Sequence, residues 1–211
     1  MAKIELYNED NMELMARYPD KYFDLAIVDP PYGININMNM GRKKGKKKVH
    51  TDKNWDNAIP SKEYFNELKR VSKHQIIWGG NYMTEYLEPT GAWIFWDKGV
   101  PNGVSFADGE LAWTSFGDVL KKFDVVYSGF KGMDDGGKIH PTQKPVRLYG
   151  HLINHYCKKG FKVLDTHLGS GSIAIACHKY DIDLVGCEID FEYYEKARLR
   201  LEREQSQTVL F

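Results

Sequence analysis

Asp29-Pro30-Pro31-Tyr32 follows directly on the short apolar run Leu25-Ala-Ile-Val28. A carboxylate, a carbonyl that cannot be drawn into a regular ladder and an aromatic ring thereby meet at the carboxyl end of a buried strand, where α/β proteins form their sites. The set suits the activation of a nucleobase amine. The exocyclic amine of adenine is a poor nucleophile because its lone pair is delocalised into the ring. Hydrogen bonds from its two N–H groups to Asp29 and to the Pro30 carbonyl would draw the nitrogen toward tetrahedral geometry and free that lone pair. Tyr32 would stack on the base with its ring, not its hydroxyl, and offset part of the unstacking cost of about a few kcal/mol. A Pro-Pro turn with a capping aspartate is also a common structural turn, so the motif by itself leaves both readings open.

A second constellation lies near the other end. Gly169-Ser-Gly171-Ser-Ile-Ala174 satisfies G-x-G-x-x-A after a strand and before a helix, the setting in which backbone approaches a nucleotide closely. Glu188 ends the next strand, 23 residues past Asp165 (188 − 165), near the roughly 20-residue offset at which a carboxylate receives ribose hydroxyls. Turn and acid together predict an adenosine-containing cofactor. Only 37 residues remain beyond Ala174 (211 − 174), enough for one strand and one helix, so the second half of a dinucleotide fold does not fit and NAD is disfavoured. The remaining strands of the sheet then come from earlier in the chain, in an order permuted relative to the usual one.

The elements that must hold these groups read as α/β. Leu25 to Val28, Gln75 to Trp78, Ala92 to Trp96, Glu110 to Trp113, Phe161 to Leu164 and Leu184 to Cys187 are strand-like. Ser61 caps a helix carrying Tyr64, Phe65, Leu68 and Val71, another helix runs from Ser172 to Tyr180, and Asp190 caps one whose Phe191, Tyr194, Ala197 and Leu201 share a face. Alternating strand and helix implies parallel sheet built by right-handed crossovers. With 211 residues, 42% of them hydrophobic, one domain spanning 1–211 is expected.

Charge narrows the partners. Twenty-nine basic residues balance 29 acidic ones, which excludes a uniformly cationic DNA coat and leaves local patches. The run Arg42, Lys43, Lys44, Lys46, Lys47 and Lys48 is one such patch, inside an aperiodic stretch, 33–57, expected to be a mobile loop. Beside a base pocket it would neutralise phosphates and give sequence-independent affinity for double-stranded DNA. Cys157, Cys177 and Cys187 form no C-x-x-C pair, so neither a disulfide framework nor a zinc site is expected, and no metal is assigned. No signal segment or long apolar stretch appears, which predicts a cytoplasmic protein with no membrane contact.

The chain resembles the DNA amino-methyltransferases of the permuted beta class, which use S-adenosylmethionine. The likeness rests on Ile4 to Asp10, Leu25 to Gly33, Trp78-Gly-Gly-Asn-Tyr82, His140-Pro-Thr-Gln-Lys-Pro145 and Val163 through Gly171. It implies a Rossmann-like methyltransferase fold, circularly permuted: a mostly parallel open sheet with helices on both faces. It also implies roles. Asp29, Pro30 and Tyr32 would be catalytic. His140, Thr142 and Lys144, leading into a helix from Val146, would help hold the methionine end of the cofactor, with Asp165 near its amino group. Asp10 would lie near the adenine, Glu188 on the ribose, and Gly169 and Gly171 in the cofactor turn. Where the family reads D-P-F-x-G-S-G-T, this chain has Asp165-Thr-His-Leu-Gly-Ser-Gly-Ser172, and His167 is expected as a pocket wall. Target recognition would fall in a short insert of about 98–139, which leaves a short recognition sequence, weak specificity or a homodimer open.

Asp at the first motif position is mostly associated with adenine N6 and Ser with cytosine N4, so the expected activity is site-specific adenine-N6 methylation of a flipped-out base. Cytosine-N4 methylation, or a catalytically silent DNA-binding module of the same fold, are the alternatives. The tail, residues 207–211, ends Gln207-Thr-Val-Leu-Phe211 and looks like the short peptide by which bacterial replication proteins dock in the sliding clamp, with Gln207 as polar contact and Leu210 and Phe211 as anchors. Folding back onto the protein's own core is the other reading. The expected setting is a bacterial or phage-infected cell, at the nucleoid, either as part of restriction-modification or of phage origin.

Overall fold

The computed structural model describes residues 2–34, 56–101, 107–117, 119–126 and 139–207. Eight strands and five α-helices succeed one another as β1 (Ile4–Tyr7), α1 (Asn11–Ala16), β2 (Phe23–Val28), α2 (Lys62–Val71), β3 (Ser72–Trp78), β4 (Trp93–Asp97), β5 (Gly109–Thr114), β6 (Lys121–Asp124), α3 (Val146–Tyr156), β7 (Lys162–Asp165), α4 (Ser172–Lys179), β8 (Asp183–Cys187) and α5 (Phe191–Gln207). They form one sheet in the order β1-β8-β7-β2-β3-β5-β4-β6. β5 runs antiparallel to both its neighbours, and every other pairing is parallel. The fold is Rossmann-like.

Continuous apolar runs in the central strands follow from burial on both faces. Along β2, Leu25 and Ile27 join the core shared with Leu148, Leu152, Ile173 and Leu201, whereas Ala26 and Val28 join the opposite core with Leu14, Phe65 and Leu68. β7 divides its Val163 and Leu164 in the same way. The helices α3, α4 and α5 thus cover one face, and α1 and α2 the other. No helix among the described residues is long and apolar enough to cross a membrane.

Two expectations are corrected by packing. In α5 the buried residues are Tyr193, Ala197, Arg200 and Leu201, while Phe191 is 65% exposed. Two stripes through Ala197 and Leu201 have helical spacing, and the one chosen runs through Tyr193, whose ring meets His140 at 4.5 Å. β6, Lys121–Asp124, was not legible as a strand because its short, charged sequence sits at the sheet edge, where a strand need bury little. The expected loop, 33–57, falls largely outside the described residues, whereas the expected insert of about 98–139 is described over 98–101, 107–117, 119–126 and 139 and holds β5 and β6.

Gly171 sits at the start of α4 with φ +70°, and a Cβ there would lie 2.9 Å from that of Ala197 on α5. Left-handed backbone and close helix packing both demand glycine. Gly171→Ala is expected to destabilise the fold by about 1–3 kcal/mol in urea unfolding; an unchanged midpoint would show that α5 can give way at no cost.

Candidate active site

The pairing of β2 with β7, Leu25 opposite Val163 and Ala26 opposite Leu164, sets the ends of two strands from distant parts of the chain side by side. Asp29 emerges from one and the turn from Asp165 to Gly171 from the other. A cavity of about 480 Å³ opens there, within the usual range for small-molecule sites. Its lining includes Asp10, Asp29, His140, Thr142, Lys144, Gly169 and Glu188, which brings seven residues singled out in the sequence to one cavity. Asp165 and Gly171 are not among the lining residues, and Tyr32 and Pro30 also stand off it.

Each wall group is held by local structure. Asp10 caps α1, its Oδ1 accepting from the Met12 N–H at 2.7 Å. Glu188 bridges two backbone donors: Oε2 accepts from Gly169 at 2.9 Å and Oε1 from Asp190 at 2.9 Å. Those bonds tie the end of β8 to the glycine turn and leave further lone pairs on each oxygen for a ligand hydroxyl. Thr142 turns its hydroxyl to His140 Nδ1 at 3.1 Å. Ile189, beside Glu188, is 72% exposed and supplies an apolar wall that the sequence reading passed over.

His167 does line the cavity. Its Nε2 lies 3.2 Å from the Asn11 side-chain nitrogen and its Nδ1 3.0 Å from the Thr166 hydroxyl, which in turn meets the Tyr64 hydroxyl at 2.7 Å. Burial pushes the imidazole down to about 4, against the pull of Asp10, so the ring is neutral near pH 7 and serves as a positioned wall.

The surroundings of Asp29 were the least legible. Oδ1 accepts from the Tyr32 hydroxyl at 2.7 Å and Oδ2 from the Lys144 ammonium at 2.5 Å. Lys144 is therefore bonded to the motif aspartate, a partner that sequence position alone did not suggest. The Tyr32 hydroxyl, which the sequence reading treated as idle, holds the same carboxylate. The Tyr32 ring stacks on Tyr82 at 5.3 Å and 18°. Asp56 fixes the turn after the motif by accepting from the Tyr32 and Gly33 N–H groups at 2.7 and 3.0 Å. Glu110 and Lys98 complete the cluster, with Lys144 Nζ 3.1 Å from Glu110 and Lys98 Nζ 2.6 Å from it. None of Asp56, Lys98 and Glu110 belongs to a recognisable motif. The residues Arg42, Lys43, Lys44, Lys46, Lys47 and Lys48 lie outside the described residues, as do Leu210 and Phe211, while Gln207 is the last residue of α5.

A family model described as DNA methylase matches residues 116–199. The type II methyltransferase M2.DpnII of Streptococcus pneumoniae is 25% identical over 246 residues, covering 96% of this chain and 91% of the relative. Among solved structures, a complex of M1.HpyAVI with SAM superposes with a TM-score of 0.62 at 19% identity, covering 94% of this chain and 98% of that one. The PvuII DNA methyltransferase, titled cytosine-N4-specific, reaches a TM-score of 0.64 at 13% identity, covering 98% and 91%. These structural likenesses establish the fold.

Asp165 supplies a test of the wall. It is 2% exposed, its Oδ1 accepts from the His167 N–H at 2.9 Å, and burial pushes its carboxyl up to about 8. Between about pH 4 and 8 the folded protein keeps a proton that the unfolded chain releases, so this group makes stability fall as pH rises through that window. Asp165→Asn, which can still accept from His167, is expected to flatten the decline of Tm between pH 5 and 8. A parallel decline in wild type and variant would place the proton elsewhere.

Proposed function

From the DNA methylase family model that matches residues 116–199 and the likeness to a type II methyltransferase along nearly the whole chain, we propose that the protein is an N6/N4 DNA methylase that transfers a methyl group from S-adenosylmethionine to N6 of an adenine turned out of double-stranded DNA. The observation that carries this reading is one cavity lined by Asp10 and Glu188 together with Asp29. The order of the strands, with β7 following β2 in sequence yet beside it in the sheet, agrees with a circularly permuted arrangement.

The donor set fits S-adenosylmethionine. Five carboxylate residues, Glu9, Asp10, Asp29, Glu188 and Asp190, line the cavity against one lysine, an electrostatic environment suited to a cationic ligand. Glu188 would hold ribose hydroxyls, Asp10 and Ile189 the adenine end, and His140 and Thr142 the methionine end, with Gly169 allowing close backbone approach. When bound, the cofactor supplies an electrophilic methyl group on a sulfonium. The protein's own contribution is alignment: Asp29 and the Pro30 carbonyl accept from the amine and orient its lone pair along the line of displacement. Tyr32 keeps Asp29 in place through its hydroxyl, and offers the base an aromatic neighbour.

Asp29 at the head of the motif favours adenine. Cytosine-N4 methylation at the same site is the second reading. Tritium from labelled cofactor, traced to the base that acquires it, separates the two. The basic run Arg42 to Lys48 would contact phosphates, the short insert would read sequence, and the tail through Gln207, Leu210 and Phe211 would dock on a sliding clamp. Self-association would extend the reading surface.

Asp29→Ala is expected to abolish methyl transfer while leaving the calorimetric affinity for S-adenosylmethionine within about twofold, because the carboxylate acts on the amine. Retained turnover would remove Asp29 from the chemistry. Tyr32→Phe is expected to slow transfer several-fold, since it strips a donor from Asp29, and Tyr32→Ala to slow it further; a silent Tyr32→Phe would show that the hydroxyl contact is dispensable.

A further inference from the structure

Both oxygens of Asp29 are engaged, one by Tyr32 and one by Lys144. An incoming amine must find its acceptor here, against a charged ammonium that is the stronger donor. The two incumbents share a second acceptor. Glu110 Oε2 lies 3.1 Å from Lys144 Nζ and 3.4 Å from the Tyr32 hydroxyl, so Lys144 can leave Asp29 without losing a carboxylate partner. Glu110 stands on β5, the antiparallel strand, and its Oε1 is held by Lys98 from just beyond β4 at 2.6 Å. Two carboxylates and two ammonium groups thus stay balanced whichever carboxylate carries Lys144.

Resting on the reading of Asp29 as the residue that receives the amine, we propose that Glu110 is a positioning residue that takes Lys144 off Asp29 Oδ2 as the target base docks, while the Tyr32 hydroxyl keeps its hold on Oδ1. Asp29 then presents an unshared oxygen to the amine. Without Glu110, the Lys144 side chain, 2% exposed, could leave Asp29 only by becoming an unpaired buried ammonium, and the exchange would stall. Lys98 acts in the opposite sense. It competes with Lys144 for the same carboxylate and restrains the exchange. A purely structural ladder of ion pairs would make the loss of Glu110 and the loss of Lys98 harmful alike, whereas the exchange gives them opposite signs.

Full-length Glu110→Gln and Lys98→Gln proteins would be compared with wild type in single-turnover methylation of unmethylated bacterial genomic DNA at saturating S-adenosylmethionine, with cofactor affinity by calorimetry and melting curves alongside. Glu110→Gln is expected to slow transfer tenfold or more with cofactor affinity within twofold, and Lys98→Gln to raise the rate above wild type. An unslowed Glu110→Gln, a tenfold loss of cofactor affinity in it, or a Lys98→Gln rate at or below wild type overturns the exchange. Should Glu110→Gln fail to melt cooperatively, the Lys98→Gln arm decides by itself. A wild-type protein that neither binds the cofactor nor methylates DNA overturns the underlying reading and the exchange with it, while an active wild type with the wrong variant signs overturns the exchange alone.

Discussion

The parallel pairing of β2 with β7 is the contact on which the site depends. It joins a strand from the first thirty residues to one beyond residue 160, and it does so at the centre of the sheet, where both faces are covered by helices. Parallel neighbours present their carboxyl ends on the same edge, so the residues that leave these strands necessarily converge. Asp29 and the glycine turn meet for that reason and not because they are near in sequence. Val163 and Leu25 in one core, and Leu164 and Ala26 in the other, are the packing that keeps the register. A slip of one residue would exchange their faces and carry the motif aspartate away from the cavity.

Around that contact the protein gathers a cluster of charges, with Lys144 buried and Asp29, Glu110 and Lys98 half-buried. Burial alone would raise Glu110, yet Lys144 and Lys98 overcome it and hold the carboxyl at about 2. Burial likewise pushes Asp29 up, with Lys144 pulling it back. Such groups are stable only as a set, because removing one partner leaves another ionised in a poorly solvated place. The same low-dielectric surroundings make each contact in the set responsive to what enters the cavity. The cluster therefore couples the motif turn after β2, the antiparallel strand β5 and the segment before α3, three parts of the chain with no local reason to interact.

The part of the cavity proposed to take the cofactor is built differently, from backbone. Glu188 accepts two main-chain N–H groups, Asp10 caps a helix and Asp165 accepts from the turn it precedes. Side chains that orient the wall are thus fixed by the same bonds that end strands and begin helices. This gives the wall a rigid geometry at little expense of flexible side-chain contacts, in contrast to the long lysines around Asp29.

Much of this was legible in the sequence. The apolar runs located the central strands to within a few residues, because a strand buried on both faces leaves an uninterrupted hydrophobic signature. The glycine turn, Glu188 and Asp29-Pro30-Pro31-Tyr32 announced themselves because their conformational or chemical demands admit few residue types. Tertiary structure alone decided the rest. Glu110, Lys98 and Asp56 carry ordinary charges in ordinary contexts; the sheet order brings Glu110 to Lys144 and Lys98 to Glu110, and Asp56 meets the turn after the motif. The partner of Lys144, the work of the Tyr32 hydroxyl and the choice of Tyr193 over Phe191 in α5 were decided likewise. Local pattern records what each segment must bury or bend, whereas the pairing of charges across strands depends on distances that no segment contains.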